Sequence, residues 1–171
     1  MFSDVSFFAG VAQTDWSWNP SMADFDNDGM KDILITNGYP KDITDKDFAA
    51  FRANSSPSTP KKEIIAAIPE IKIHNYAFRN ITGLAFGDVT EKWGLIEPSY
   101  SAGAVFVDLD NDGDLDYVVS NINDEAFLYE NMLNNRSVRR ANYLDITFKG
   151  DKKNINGLGA SVEIYYNQEK K

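Results

Sequence analysis

Two nine-residue stretches, DFDNDGMKD at 24–32 and DLDNDGDLD at 108–116, decide how this chain reads. Each puts a carboxylate at positions 1, 3, 5 and 9 and a glycine at 6, the oxygen-rich spacing with which a curled loop wraps a hard cation such as Ca²⁺. The glycine permits the left-handed turn that brings the chain back on itself. Asp24, Asp26, Asp28 and Asp32 are the expected side-chain ligands in the first loop, and Asp108, Asp110, Asp112 and Asp116 in the second. Position 7 would add a main-chain carbonyl. Its occupants, Met30 and Asp114, differ, as expected where side-chain identity does not matter. Position 9 would close the shell, with room for bidentate contact. Without a cation, four crowded carboxylates repel one another. The expectation is therefore a loop that is loose when empty and ordered when filled. A solvated acidic Asp-Gly turn is the competing reading, and two such loops at matching places favour the cation. An EF-hand needs a bidentate Glu at position 12; Ile35 and Val119 stand there, so that device fails, as does a dockerin-like loop.

Outward from the loops, the chain matches itself at an offset of 84 residues. Phe2, Asp4, Val5, Gly10 and Ser17 fall on Phe86, Asp88, Val89, Gly94 and Ser101, and Asn37 falls on Asn121. With the loop residues this makes 12 identities between 2–37 and 86–121 without a gap. After the loops the lengths diverge: 48 residues separate Asp32 from Asn80, but 15 separate Asp116 from Asn131, so the first copy carries a 33-residue insertion. That insertion, at roughly 41–74, reads as two short helices. Thr44 opens the first like a weak capping box; Pro60 suits the first turn of the second, and Pro69 stops it. A Ser/Pro-rich joint at 54–60 separates them.

The remaining segments read as short strands at 33–36, 76–79, 86–89, 103–107, 117–120, 126–130, 143–148 and 160–166, being apolar runs rich in β-branched residues between turn residues. A unit of about 50–60 residues with four short strands has the size of one β-propeller blade. The predicted class is all-β: antiparallel propeller-type blades forming a partial propeller with a small helical insertion. The units are 1–40 with the first calcium loop, 41–74, 75–135 with the second loop, and 141–171.

Composition narrows the function. The 171 residues carry 17 basic and 26 acidic side chains, a net charge of −9, which argues against nucleic acid or an anionic membrane surface as partner. There is no cysteine and one histidine, His74, so disulfide frameworks, thiolate zinc sites and histidine-rich metal sites are excluded. No apolar run is long enough to span a bilayer. The N-terminus lacks the pattern of a signal peptide and reads as starting inside a repeat, as a piece of something longer would. No Ser/His/Asp set, GxSxG or phosphate loop is present, so no catalytic residue is nominated.

The DxDxDGxxD loops between short strands, preceded by an F-x-D-V-T…G-L pattern at 86–95, resemble FG-GAP/VCBS repeats of integrin-α-like β-propellers. The stretch YLDITFKGDKKNINGLGASVEIYYN (143–167) resembles the start of an ASPIC/UnbV segment, with its N-x-x-G-x-G-A turn at Asn154–Ala160. The resemblance implies a calcium-binding, non-enzymatic adhesion or ligand-binding module, located outside the cell, at its surface or in the periplasm. It implies two Ca²⁺ sites that rigidify the blade hairpins, a protein or glycan ligand at the cell surface, and self-association as a further possibility. The rival is a scaffold piece of a calcium-dependent polysaccharide-active enzyme such as a lyase; a third reading is a structural spacer.

Several residues invite a functional reading beside a plain one. Asn27 and Asn111, at loop position 4, are expected to hold the loop by Asx-turn hydrogen bonds. Trp16, Trp18, Tyr39 and Tyr100 could stack on sugars, but Trp16 and Tyr100 are repeat-equivalent, which favours a shared packing role between blades. Gly157 and Gly159 suggest a hairpin more than a phosphate cradle. His74 reads as a surface or strand-edge residue, and Arg136, Arg139 and Arg140 as a solvated linker. Asn54 and Asn80 begin glycosylation sequons by pattern.

Overall fold

The computed structural model describes residues 3–136, 144, 146–166 and 169–170. Most of its regular structure lies in two antiparallel sheets. The first has the order β1 (Ser17–Ala23), β2 (Asp32–Asn37), β3 (Tyr76–Asn80), β4 (Phe86–Asp88). The second has the order β5 (Ser101–Val107), β6 (Asp116–Asn121), β7 (Phe127–Tyr129). Helix α1 (Ser6–Ala9) precedes the first sheet, α2 (Lys46–Asn54) and α3 (Lys61–Ala66) lie between β2 and β3, and α4 (Leu133–Arg136) follows β7. A small hairpin, β8 (Tyr165–Tyr166) with β9 (Glu169–Lys170), comes last.

The two sheets are built alike. In the first, Met22 pairs with Ile33 and Ile33 with Phe78; in the second, Phe106 pairs with Tyr117 and Tyr117 with Tyr129. The neighbouring rows are Ser21, Leu34, Ala77 and Val105, Val118, Leu128. Both first strands slip register near their start, between Ser17 and Pro20 and between Ser101 and Gly103. Such irregularities increase local twist. Proline is tolerated at Pro20 because β1 is an edge strand.

Alternation then determines which face is buried. β1 packs on β5, and the core between the sheets contains Ala23, Phe25, Leu34, Ala77, Leu95, Tyr117 and Val119, with Val89, Trp93, Ala104, Leu115, Phe127 and Tyr129 against it. Phe25 sits at its centre, edge-on to Tyr117 (6.1 Å) and Phe106 (5.9 Å). Such aromatic pairs add about 0.5–1.5 kcal/mol beyond area burial. A cavity of about 460 Å³ opens beside this cluster, lined by Phe25, Leu34, Trp93, Tyr117 and Tyr129 among others. Burial pushes the Tyr117 phenol up to about 12.

The expected strands at 33–36, 76–79, 86–89, 103–107, 117–120 and 126–130 are present with ends shifted by a residue or two. β1 is not among the expected strands; its backbone, with Pro20 inside it, pairs along β2. The expected strand at 160–166 shrinks to Tyr165–Tyr166. Of 143–148, residues 143 and 145 lie outside the described residues, and 144 and 146–148 form no strand. The hairpin expected around Gly157 and Gly159 is absent among the described residues. Both glycines are left-handed (φ 62° and 87°) in successive turns pinned by Asn154, whose amide donates to the Leu158 carbonyl. Leu144 and Leu158 there are 65% and 87% exposed. Among the described residues these segments have no third strand beside them, and two short strands alone are marginal as a sheet.

The insertion holds its two helices, with the cap of the first one residue later than expected. Asp45 accepts the Phe48 amide (2.8 Å), while the Thr44 hydroxyl donates to Asp42 instead. Bridges from Tyr39 to Ile71 and from Ile73 to Ser99 close the insertion at its base. The linker arginines beyond Arg136 lie outside the described residues.

At that base Gly38 has φ 108°, and a Cβ there would stand 2.1 Å from the Ser99 carbonyl oxygen. Gly38→Ala is expected to lower the stability measured by urea unfolding by about 3 kcal/mol or more, as backbone strain and a backbone clash combine. Gly29→Ala has left-handed strain but open space around it, and is expected to cost about 1 kcal/mol.

Candidate metal centre

Each acidic loop is curled by its own first carboxylate. In the first, Asp24 accepts the amides of Asp28 (3.0 Å) and Gly29 (2.8 Å); in the second, Asp108 accepts those of Asp112 (3.2 Å) and Gly113 (3.1 Å). The fifth position tightens the turn: Asp28 accepts the Met30 amide and Asp112 the Asp114 amide. Asn27 and Asn111 are left-handed at φ 55° and 61°, and Gly29 and Gly113 follow at 89° and 90°. Asparagine is among the few side chains that tolerate that region, and glycine has no Cβ to clash.

The ninth position has a role the spacing did not show. Asp32 is fully buried; one carboxylate oxygen accepts the Phe25 amide (3.0 Å) and the other the Asn80 amide (2.8 Å). Asp116 repeats this with Leu109 (2.9 Å) and Asn131 (2.8 Å). Both oxygens already accept a main-chain amide, and each keeps one lone pair for an ion. Burial raises the Asp32 carboxyl above the usual range against the pull of these two amides, and the charges of Asp26 and Asp28 add to the rise.

The carboxylates converge in each loop. Oxygens of Asp24, Asp26 and Asp28 lie within 4.8 Å of one another, and so do those of Asp108, Asp110 and Asp116. Asp32 stands outside the first cluster and Asp112 outside the second. Buried oxygens of Asp26, Asp112 and Asp114 have no hydrogen-bond partner. Such groups are costly unless something occupies their lone pairs. The donor set is all oxygen, which fits a hard divalent cation.

Position 7 also differs from expectation. The Asp114 side chain is buried, accepts the Asn134 amide (2.9 Å) through one oxygen and leaves the other without a partner. Burial pushes its carboxyl up to about 6 against that amide, and Asp112 and Asp116 add to the rise. Side-chain identity therefore matters in the second loop, whereas Met30 in the first is half-buried.

Arg79 was not anticipated. Its guanidinium donates to Asp26 and, at 2.9 Å, to Asp28, so the first loop already holds a cationic partner. These carboxylates, Asp26 above all, raise the guanidinium further. The corresponding residue before Asn131 is Glu130, so the loops are electrostatically unlike. The only visible signal was this Arg-Asn against Glu-Asn contrast at the two closing asparagines. Those asparagines hold more than the ninth carboxylate. Asn80 donates to the Lys31 carbonyl, and Asn131 to those of Leu115 and, across the sheets, Phe25. Asn80 is 7% exposed, so its sequon is a structural asparagine. Asn27 does not make the Asx turn expected of it; its amide donates to the Gly113 carbonyl at 3.1 Å and ties one loop to the other.

The other candidates lie at the far end of the first sheet. Trp16 stacks on Tyr39 (5.0 Å), Trp18 tilts against it (5.6 Å), and Trp18 donates to the Gly38 carbonyl. Tyr100 instead donates to Glu70. Trp16 and Tyr100 thus share a backbone role, accepting from Gly38 and Ile122, but not a common ring packing. His74 is half-buried beside Tyr76.

No family model matches the chain, and no curated protein matches it.

The buried ninth carboxylate gives a metal-independent test. In chelator, Asp32→Ala is expected to cost at least about 2 kcal/mol in urea unfolding, because two buried amides lose their acceptor. Asp28→Ala should cost clearly less.

Proposed function

We propose that the chain is a calcium-stabilised, non-enzymatic binding module whose two sheets are propeller-type blades. The observation that carries this reading is the convergence of three carboxylates within 4.8 Å in each of two loops built by the same hydrogen bonds. Buried, partnerless carboxylate oxygens in both loops support it. Calcium would be held by Asp24, Asp26 and Asp28 in one loop and by Asp108, Asp110 and Asp116 in the other, with Asp114 at hand. Bound there, the ion supplies positive charge that relieves carboxylate repulsion. The chain's own part is to present the oxygens, through Asp24 and Asp108 curling the loops and Asp32 and Asp116 anchoring them.

Ligand recognition falls to another part of the sheet. Trp18 stands six residues before Asp24 along β1, so the Trp16–Trp18–Tyr39 cluster lies about 20 Å from the acidic loop. With Trp18 exposed on half-buried Trp16 and Tyr39, this aromatic group supports a protein or glycan ligand. Loops of extracellular type fill at about 10⁻⁴–10⁻³ M calcium, which supports a place outside the cell or in the periplasm. No helix among the described residues is long and apolar enough to cross a membrane.

A thermal unfolding scan in Ca²⁺, in Mg²⁺ and in EDTA tests the metal reading. Calcium a hundredfold above Kd should stabilise by about 2.7 kcal/mol per site, a rise of several degrees. The Asp26→Ala/Asp110→Ala double variant should lose it. Identical curves in all three conditions would refute the proposal.

A further inference from the structure

The two sheets are alike in pairing but opposite in what their faces meet. In the first sheet the row Ser21, Leu34, Ala77 is buried at 5%, 2% and 0% exposure, on the side that meets the second sheet. The corresponding row of the second sheet is Val105, Val118, Leu128. Val105 is 56% and Leu128 64% exposed, and Val107 on the same face is exposed too. The positions that bury one sheet against its neighbour are thus more apolar in the second sheet, yet open.

The complementary side is covered unevenly: Ile35 and Phe78 of the first sheet are buried, Met22 beside them is open, and Phe106 of the second sheet is 38% exposed. Phe106 and Val89 reach the inter-sheet core through the Phe25 ring contact and packing on the buried cluster. Their equivalents 84 positions earlier, Met22 and Val5, are 54% and 44% exposed. The internal contact is therefore head-to-tail: one kind of face on the first sheet meets a different kind on the second, and one of each is left over. Interfaces of this type are heterologous, and they propagate or close into rings.

We propose that the open Val105–Val107–Val118–Leu128 face is an interaction surface for a second copy of this chain, seated through its Met22 side. The new contact uses the same two kinds of face as the internal one over a smaller area. Ile35 and Phe78 are already buried within their own chain, so the seat centres on Met22 and the half-buried Ile33. Bringing together exposed valine and leucine side chains supplies the driving force, against the repulsion of a net charge of −9 on each copy.

Sedimentation velocity over a wide concentration range, with calcium and again in chelator, tests this apart from the metal reading. Wild-type mass should rise with concentration beyond that of a dimer in at least one of the two conditions. Leu128→Asp alone and Met22→Asp alone should stay monomeric, since each lacks one half of the contact. Mixed in equal amounts they should form a dimer and nothing larger, because one intact face of each kind remains. Val105→Lys replaces Leu128→Asp should circular dichroism show that variant unfolded. A wild-type chain that stays monomeric in both conditions overturns the proposal, as do single variants that still associate or a mixture that stays monomeric.

Discussion

In each sheet a buried carboxylate at the first residue of the second strand joins three pieces of chain. Asp32 draws in the amide of Phe25 from the acidic loop and that of Asn80 from the end of β3; Asp116 does the same with Leu109 and Asn131. A buried carboxylate is stable only when its lone pairs are answered, and here main-chain amides answer them. The same bonds set where each loop starts and where the third strand of each sheet ends. The convergence of the remaining aspartates follows from this anchoring, as does the placement of Phe25 in the centre of the core.

The loops are joined to each other as well as to their sheets. The Asn27 amide reaches the Gly113 carbonyl, and the Asn131 amide reaches that of Phe25. Order in one loop is thereby passed to the backbone of the other. Their electrostatics differ, because Arg79 neutralises part of the first loop while Asp114 adds a buried acid to the second. A cation arriving at the first loop competes with the Arg79 guanidinium.

Much of this was legible in the residues. Compact apolar runs at 33–36, 103–107 and 117–120, rich in β-branched residues and bounded by turn residues, mark strands, and the offset match carries the likeness of the two sheets. The insertion's helices were readable from Pro60 and Pro69. Three things were not. β1 hides behind Asn19-Pro20, because an edge strand tolerates what an inner strand cannot. The anchoring role of Asp32 and Asp116 depends on amides 48 and 15 residues away, which loop spacing cannot reveal. Arg79 is likewise brought to Asp26 and Asp28 by the β2–β3 register rather than by any local pattern. Of the strand expected at 160–166, Tyr165–Tyr166 is present, and the neighbouring described residues are largely exposed.

These elements combine into a module whose acidic loops brace one end of the sheets and whose aromatic cluster faces the other. Everything in that account turns on whether the loops hold ions. Equilibrium dialysis against Ca²⁺ in excess Mg²⁺ measures this directly. The account predicts two calcium ions per chain, falling to one in Asp110→Ala and to none when Asp26→Ala is added. A wild-type chain that retains no calcium above the buffer would contradict it.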